Sequence, residues 1–109
     1  MSTQSSEPFI YITTTGRKTG LPREIEIWFV EHEGCVYILA EHGTRAQWVK
    51  NILINPNVRG RLGDQVWSAI ARVLDPEKDA EQYLKVQSLA GEKYGWGDGL
   101  PVEIRRVSE

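Results

Sequence analysis

The stretch Phe9-Ile10-Tyr11-Ile12-Thr13-Thr14-Thr15-Gly16-Arg17-Lys18-Thr19-Gly20-Leu21-Pro22-Arg23-Glu24-Ile25-Glu26-Ile27-Trp28-Phe29-Val30 decides the fold. Phe9 to Thr15 is dense in Ile, Tyr and Thr, the composition of a strand. Gly16 to Pro22 places two glycines and a proline among polar residues and reads as a turn. Glu24 to Val30 alternates, with Ile25, Ile27 and Phe29 on one side and Glu24, Glu26 and Trp28 on the other. That period predicts one half-buried strand.

Outward from this unit, Glu31 to Gly34 reads as a hairpin turn with His32 exposed. Cys35 to Ala40 is apolar without a break and is expected to be covered on both faces. It should pair with Glu24–Val30 as an antiparallel hairpin. The period then changes: Trp48, Val49, Ile52 and Leu53 follow at helical spacing, with Thr44 as N-cap and Asn55-Pro56 as the stop. Asn57 to Leu62 reads as a strand and Gly63-Asp64 as a turn. Gln65 to Leu74 is a further strand with Trp67, Ala69, Ala71 and Val73 on one face. A second helix is expected from Asp75-Pro76 to about Ala90, packing through Ala80, Tyr83, Leu84 and Leu89. A Gly-rich loop follows from Tyr94 to Gly99, and a last strand from Pro101 to Val107. Six short, hairpin-linked strands and two helices favour a mainly β (α+β) antiparallel barrel over a parallel sheet. Residues 1–8 read as a polar tail and 9–109 as a single domain.

The chain has 109 residues, 26% of them charged, and a net charge of −2. No apolar run approaches the roughly 20 residues of a membrane span, and the N-terminus lacks a signal-peptide pattern. A cytoplasmic location is expected. Cys35 is the single cysteine, so neither an intrachain disulfide nor a cysteine-based zinc site is expected; it reads as an inert core residue. No metal cluster, Gly-x-Ser-x-Gly elbow or P-loop spacing occurs. Two acid-free windows carry the cations. The first holds Arg17, Lys18 and Arg23, and the second Arg45, Lys50, Arg59 and Arg61. In an acidic chain this pattern suggests one local anion site, not nucleic-acid binding, and equally suits ordinary surface charge.

Three segments carry candidate chemistry. In the first turn, Gly16, Arg17, Lys18, Thr19 and Arg23 combine backbone amides, cations and a hydroxyl, a set suited to phosphate or carboxylate and equally to a plain hairpin turn. Ala40, Glu41, His42 and Gly43 join a buried strand to a helix start, where amides favour an anion or a heterocycle edge. Trp48 and Asn51 follow on that helix, and Trp48 also suits core packing. Tyr94 and Trp96 on the Gly-rich loop would face an aromatic substrate or pack on the barrel end. With so few acid–base groups, difficult chemistry would need a cofactor.

The successions Thr15-Gly16-Arg17-Lys18-Thr19-Gly20-Leu21-Pro22-Arg23, Gln47-Trp48-Val49-Lys50-Asn51-Ile52 and Asn55-Pro56-Asn57-Val58 resemble the deazaflavin-dependent nitroreductase family of the flavin/deazaflavin oxidoreductases. The resemblance runs from about Tyr11 to Val107. It implies a six-stranded, FMN-binding-like split β-barrel that binds coenzyme F-420, with FMN as the alternative. It implies hydride transfer to a quinone, nitroaromatic or activated alkene. Arg17, Lys18 and Arg23 match the segment that grips the cofactor's phosphate and acidic tail; Ala40 to Arg45 matches the segment beside the ring. Where the family often has a Ser-x-Gly-Gly loop, this chain has Glu41-His42-Gly43. Split barrels of this type often dimerise, which leaves a homodimer open beside a monomer, and Trp28 belongs either to such an interface or under the first helix. Two other classes stay open: a non-catalytic carrier or sensor of an acidic small ligand, and a purely structural dimerising barrel.

Overall fold

In the computed structural model, which describes residues 9–107, a single curled sheet is capped by two helices. The strands are β1 (Ile10–Thr15), β2 (Pro22–Ile27), β3 (Phe29–His32), β4 (Cys35–Ala40), β5 (Asn57–Leu62), β6 (Gln65–Val73) and β7 (Leu100–Arg106). Helix α1 (Gln47–Ile54) lies between β4 and β5, and α2 (Ala80–Tyr94) between β6 and β7. The spatial order is β2-β1-β5-β6-β7-β4-β3, and every neighbouring pair is antiparallel. The architecture is a split barrel.

The strand count is seven, not six. The expected strand Glu24–Val30 breaks at Trp28. Its first part pairs with β1, placing Ile27 opposite Ile10, and its second part pairs with β4, placing Phe29 opposite Ile38. Those partners sit at opposite ends of the sheet order, so the chain has to bend to leave one edge and join the other. Ile25, Ile27 and Phe29 nevertheless all face the barrel interior, where they meet Ile10, Ile12, Ile38, Trp67 and Ile104. A tight turn at Glu33-Gly34, both with positive φ, closes the β3–β4 hairpin.

Strand β4 is buried on both faces, as its unbroken apolar run requires. Val36 and Ile38 enter the barrel core, while Tyr37 and Leu39 face outward into a second core with Val30, Leu74, Val86 and Ala90. Helix α2 covers that outer face. Cys35 is half-buried at the strand's start beside the hairpin turn, not sealed in the core. His32 ends β3 and is half-buried.

Both helices depart from their expected limits. Thr44 does not cap α1. It lies in a 3-10 turn, Gly43–Arg45, held by Arg45 N–H to His42 O and Ala46 N–H to Gly43 O. Ala46 then resets the backbone to extended geometry, and α1 starts at Gln47. Asp75 starts a separate turn in which its carboxylate accepts the Glu77 and Lys78 amides, so α2 begins five residues later. The helix runs through Gly91 and ends only at Gly95, whose φ of 77° provides a left-handed stop. Its buried residues are Val86 and Ala90; Ala80 and Leu84 are exposed, and Tyr83 and Leu89 are half-buried. No helix among the described residues is long and apolar enough to cross a membrane.

Candidate functional site

Asn51 joins the β1–β2 turn to α1. It is buried, and both polar atoms of its side chain are hydrogen-bonded. Its Oδ1 accepts the Arg17 backbone N–H at 3.2 Å and the Arg17 guanidinium at 2.9 Å, while its Nδ2 donates to the buried Thr14 Oγ1 at 3.1 Å. The Arg17 guanidinium also donates to Gln47 Oε1 at 2.8 Å. All these partners are neutral amides, so the guanidinium is fixed in place without losing its charge. Asn51 therefore positions Arg17 and does not line the neighbouring cavity.

The turn is tightly wound. Gly20 N–H donates to Gly16 O, Gly16 N–H donates to Leu21 O, and Thr19 Oγ1 accepts Leu21 N–H. Added carbon at Gly16 would lie 2.8 Å from Thr19 Oγ1, which only a residue without Cβ avoids. Three of the turn's amides, those of Gly16, Gly20 and Leu21, are bonded within it and that of Arg17 goes to Asn51, and its cations are Arg17, Lys18 and Arg23; Lys18, Thr19 and Arg23 are exposed. The second basic window does not join this cluster as a whole. Arg59 pairs with Thr13 on the outer sheet face, and Arg61 covers the Tyr11 ring at 4.0 Å while pairing with Glu24 at 3.5 Å.

Beyond α1 lies a cavity of about 620 Å³. It opens where β2 passes into β3, and Glu26, Ile27, Trp28, Phe29 and Val30 form one wall. Glu41, His42, Ala46 and Trp48 form another, and Tyr94, Trp96 and Phe9 complete it. Of the expected site residues, Glu41, His42, Trp48, Tyr94 and Trp96 thus converge on one space. Ala40 is buried just behind it at the end of β4, and Gly43 starts the 3-10 turn beside it. Trp48 fills both of its expected places, packing on the barrel core and lining the cavity.

Tyr94 is the last residue of α2, not part of a loop. Its ring stacks on Trp28 with centroids 4.3 Å apart and planes 3° apart, and Trp96 meets Trp28 edge-on at 6.5 Å. The Tyr94 hydroxyl donates to Phe29 O at 2.9 Å and accepts Phe29 N–H at 3.2 Å, and Lys93 Nζ donates to the same carbonyl at 2.9 Å. The end of α2 therefore pins the strand break. Trp28 lies against α2 and not under α1, and it keeps 39% of its surface exposed. Sequence reasoning missed it as a cavity residue, although a tryptophan following two glutamates on the polar side of a strand was a usable signal.

The cavity is large enough for a planar tricyclic ring with a second small molecule, and its aromatic lining suits stacking. The cationic turn is joined to the same helix through Gln47 and Asn51, on either side of Trp48 in the chain. The residues present fit a deazaflavin. A split barrel with an aromatic slot beside a cationic turn is the class of small proteins that hold a flavin-type cofactor.

The profile of the F420-H2-dependent quinone reductase family matches residues 2–104, and the chain belongs to that family. Coenzyme F-420 is accordingly its cofactor and FMN a secondary alternative, and the chain is a deazaflavin-dependent reductase by family. Among solved structures, an F420-H2 dependent reductase is 31% identical over 90% of this chain and 93% of its own, with a TM-score of 0.68. A structure described as a domain-swapped dimer is 28% identical, covering 90% of this chain and 79% of its own, with a TM-score of 0.63. The heme storage protein HutZ from Vibrio cholerae shares the fold with a TM-score of 0.79 at 17% identity, over 97% of this chain and 86% of its own.

Proposed function

We propose that this protein uses reduced F-420 to reduce a quinone, nitroaromatic or activated alkene. The observation that carries this reading is the convergence of Trp28, Trp48, Tyr94 and Trp96 on one cavity that α1 connects to the Arg17 turn. When bound, the cofactor supplies a hydride; reduction of a quinone to the hydroquinone takes that hydride and one proton, which solvent provides at the open mouth. The chain's own task is positional. Arg17, Lys18 and Arg23, with the Thr19 hydroxyl, hold the phosphate and acidic tail. Gly16 keeps the turn narrow enough for the tail to pass, and Asn51 aims Arg17. The segment from Ala40 to Gly43 edges the ring, with Trp48 beside it, and Tyr94 and Trp96 face the substrate.

Titration of F-420 fluorescence with the purified full chain tests the cofactor half, with micromolar or tighter affinity expected; no binding of F-420 or FMN refutes it. Lys18→Glu should weaken F-420 affinity by about tenfold or more, because it reverses one of three clustered charges. Unchanged affinity removes the phosphate assignment. Turnover of menadione or a nitroaromatic tests the reaction, and tight cofactor binding without turnover of either returns the carrier reading. The reading includes residues 9–109 acting as one cytoplasmic domain, and a homodimer, which the domain-swapped neighbour supports; a monomer mass by light scattering would refute the dimer.

A further inference from the structure

The aromatic side chains around the cavity differ in how much ring surface they leave open. Phe29 is 1% exposed and gives its ring to the barrel core. Trp48 is half-buried on that core and stands on the α1 wall, where the cofactor ring is placed. Tyr94 gives one face to Trp28 at 4.3 Å and its hydroxyl to Phe29 N and O, and Lys93 Nζ stands over its ring at 5.0 Å. Trp28 is different. It lines the cavity and keeps 39% of its surface exposed, although Tyr94 covers one face and Trp96 meets it at 64°. What stays open is the indole face turned away from Tyr94, with the rim that Trp96 leaves free. That face is also held still. Trp28 falls between β2 and β3 and is paired by neither ladder, but its neighbour Phe29 is bonded at N and O by Tyr94 and at O by Lys93.

From this we infer that Trp28 is the specificity-determining residue on the acceptor side, its open indole face receiving a flat, fused-ring acceptor and disfavouring twisted ones of the same size. Contact between rings is gained only where the two surfaces run parallel at van der Waals distance, so a twisted acceptor can lay down one ring and must lift the other. A platform backed by Tyr94 and anchored through Phe29 is already ordered, so little freedom is lost when the acceptor lands on it. Tyr94 thereby acts on the acceptor chiefly by holding the indole in place. This inference rests on the proposal that the cavity receives the acceptor, and it narrows the class of acceptor taken.

The test uses a matched pair of nitroaromatics, 2-nitrofluorene and 4-nitrobiphenyl. Both carry two benzene rings, but a methylene bridge holds the first flat and the second is twisted about its central bond. Dissociation constants are measured by equilibrium dialysis against the full chain, alone and with oxidised F-420, so that no turnover intervenes. The flat probe should bind about threefold to tenfold tighter than the twisted one. Because both probes meet the same protein, a general loosening of a variant cancels in this ratio. Trp28→Leu should bring the ratio below about twofold, and Trp28→Phe, with a smaller ring, should leave part of it. Tyr94→Phe keeps the stack and should hold the ratio within about twofold of the wild type. Phe9, the other cavity ring with 39% of its surface exposed, supplies the control: Phe9→Leu should leave the ratio unchanged. Equal wild-type affinities, a ratio unaltered by Trp28→Leu, or a ratio lost in Phe9→Leu or Tyr94→Phe overturns the inference. Failure of the protein with reduced F-420 to reduce either probe removes the proposed reaction, and the binding ratio is read independently of it.

Discussion

Replacing Asn51 with alanine should separate the β1–β2 turn from α1. The side chain makes three hydrogen bonds, to Thr14 Oγ1, the Arg17 amide and the Arg17 guanidinium. The bond to Thr14 joins two buried groups, so its loss leaves a hydroxyl without its partner, worth about 1–2 kcal/mol. The two bonds to Arg17 are part-buried and water can replace them in part, which leaves about 1 kcal/mol between them. The expected total is about 2–3 kcal/mol, or roughly 10–20 °C in melting temperature for a chain of this size. Asn51→Asp gives a contrasting result. A carboxylate still accepts both Arg17 bonds, and the Thr14 hydroxyl can turn to donate, so the fold should hold to within about 1 kcal/mol. The carboxylate would, however, neutralise Arg17, and F-420 affinity should fall about tenfold. Thermal unfolding followed by circular dichroism, together with cofactor fluorescence titration, reads both effects. A loss below about 0.5 kcal/mol in the alanine variant would refute the joint, since surface changes alone are that small. Wild-type affinity in the aspartate variant would refute the role given to Arg17's free charge.

Tyr94→Phe keeps the stack on Trp28 but removes the hydroxyl that serves Phe29 N and O; a loss of about 1–2 kcal/mol is expected by denaturant unfolding, with increased hydrogen exchange at the Phe29 amide. Gly60→Ala would place a methyl 2.4 Å from Trp67 ring carbons. Trp67 is buried and its ring lies under Arg106 at 4.8 Å, so a destabilisation of about 1–3 kcal/mol and a changed near-ultraviolet spectrum should follow. Backbone N–H bonds from Lys78 and Glu77 hold the Asp75 carboxyl below its ordinary range, and the Asp75 amide does the same for Asp79. Because the folded values are depressed, their contribution is complete above the unfolded carboxylate value and is lost as pH falls through the folded ones. Acid unfolding of Asp75→Asn should therefore show a shallower dependence below about pH 4 than the wild type.

What the sequence revealed and what it hid follow from the range of the interactions involved. The double burial of β4 could be read because an unbroken run of six residues has no polar side to offer solvent. The Gly63-Asp64 turn could be read because a two-residue link fixes its own register, here Leu62 opposite Gln65. The break at Trp28 could not, because Ile25, Ile27 and Phe29 keep the same phase on both sides of it. A change of partner strand leaves no trace in a period-2 pattern. Gly91 resembled a helix end, but a glycine inside a helix costs only about 1 kcal/mol, and Gly95 alone adopts the left-handed geometry that stops the chain. At the site, the residue types near the cavity were legible and their tasks were not. Asn51 looked like a ligand residue because its partners, Thr14 and Arg17, lie far upstream. Trp28 looked like part of an exterior strand face, and only the bend turns it toward the cavity.

The two outermost strands of the sheet, β2 and β3, are consecutive in the chain and are joined through the single residue Trp28. Around the rest of the barrel, widening the wall would break a ladder of hydrogen bonds. At this seam the barrel is closed by covalent connection and side-chain contacts, with no ladder to break. The slot lies along the seam, outside the six strand pairings. Tyr94 and Lys93 fasten the β3 side of that seam to α2 through Phe29, so helix and cavity wall share the same two side chains.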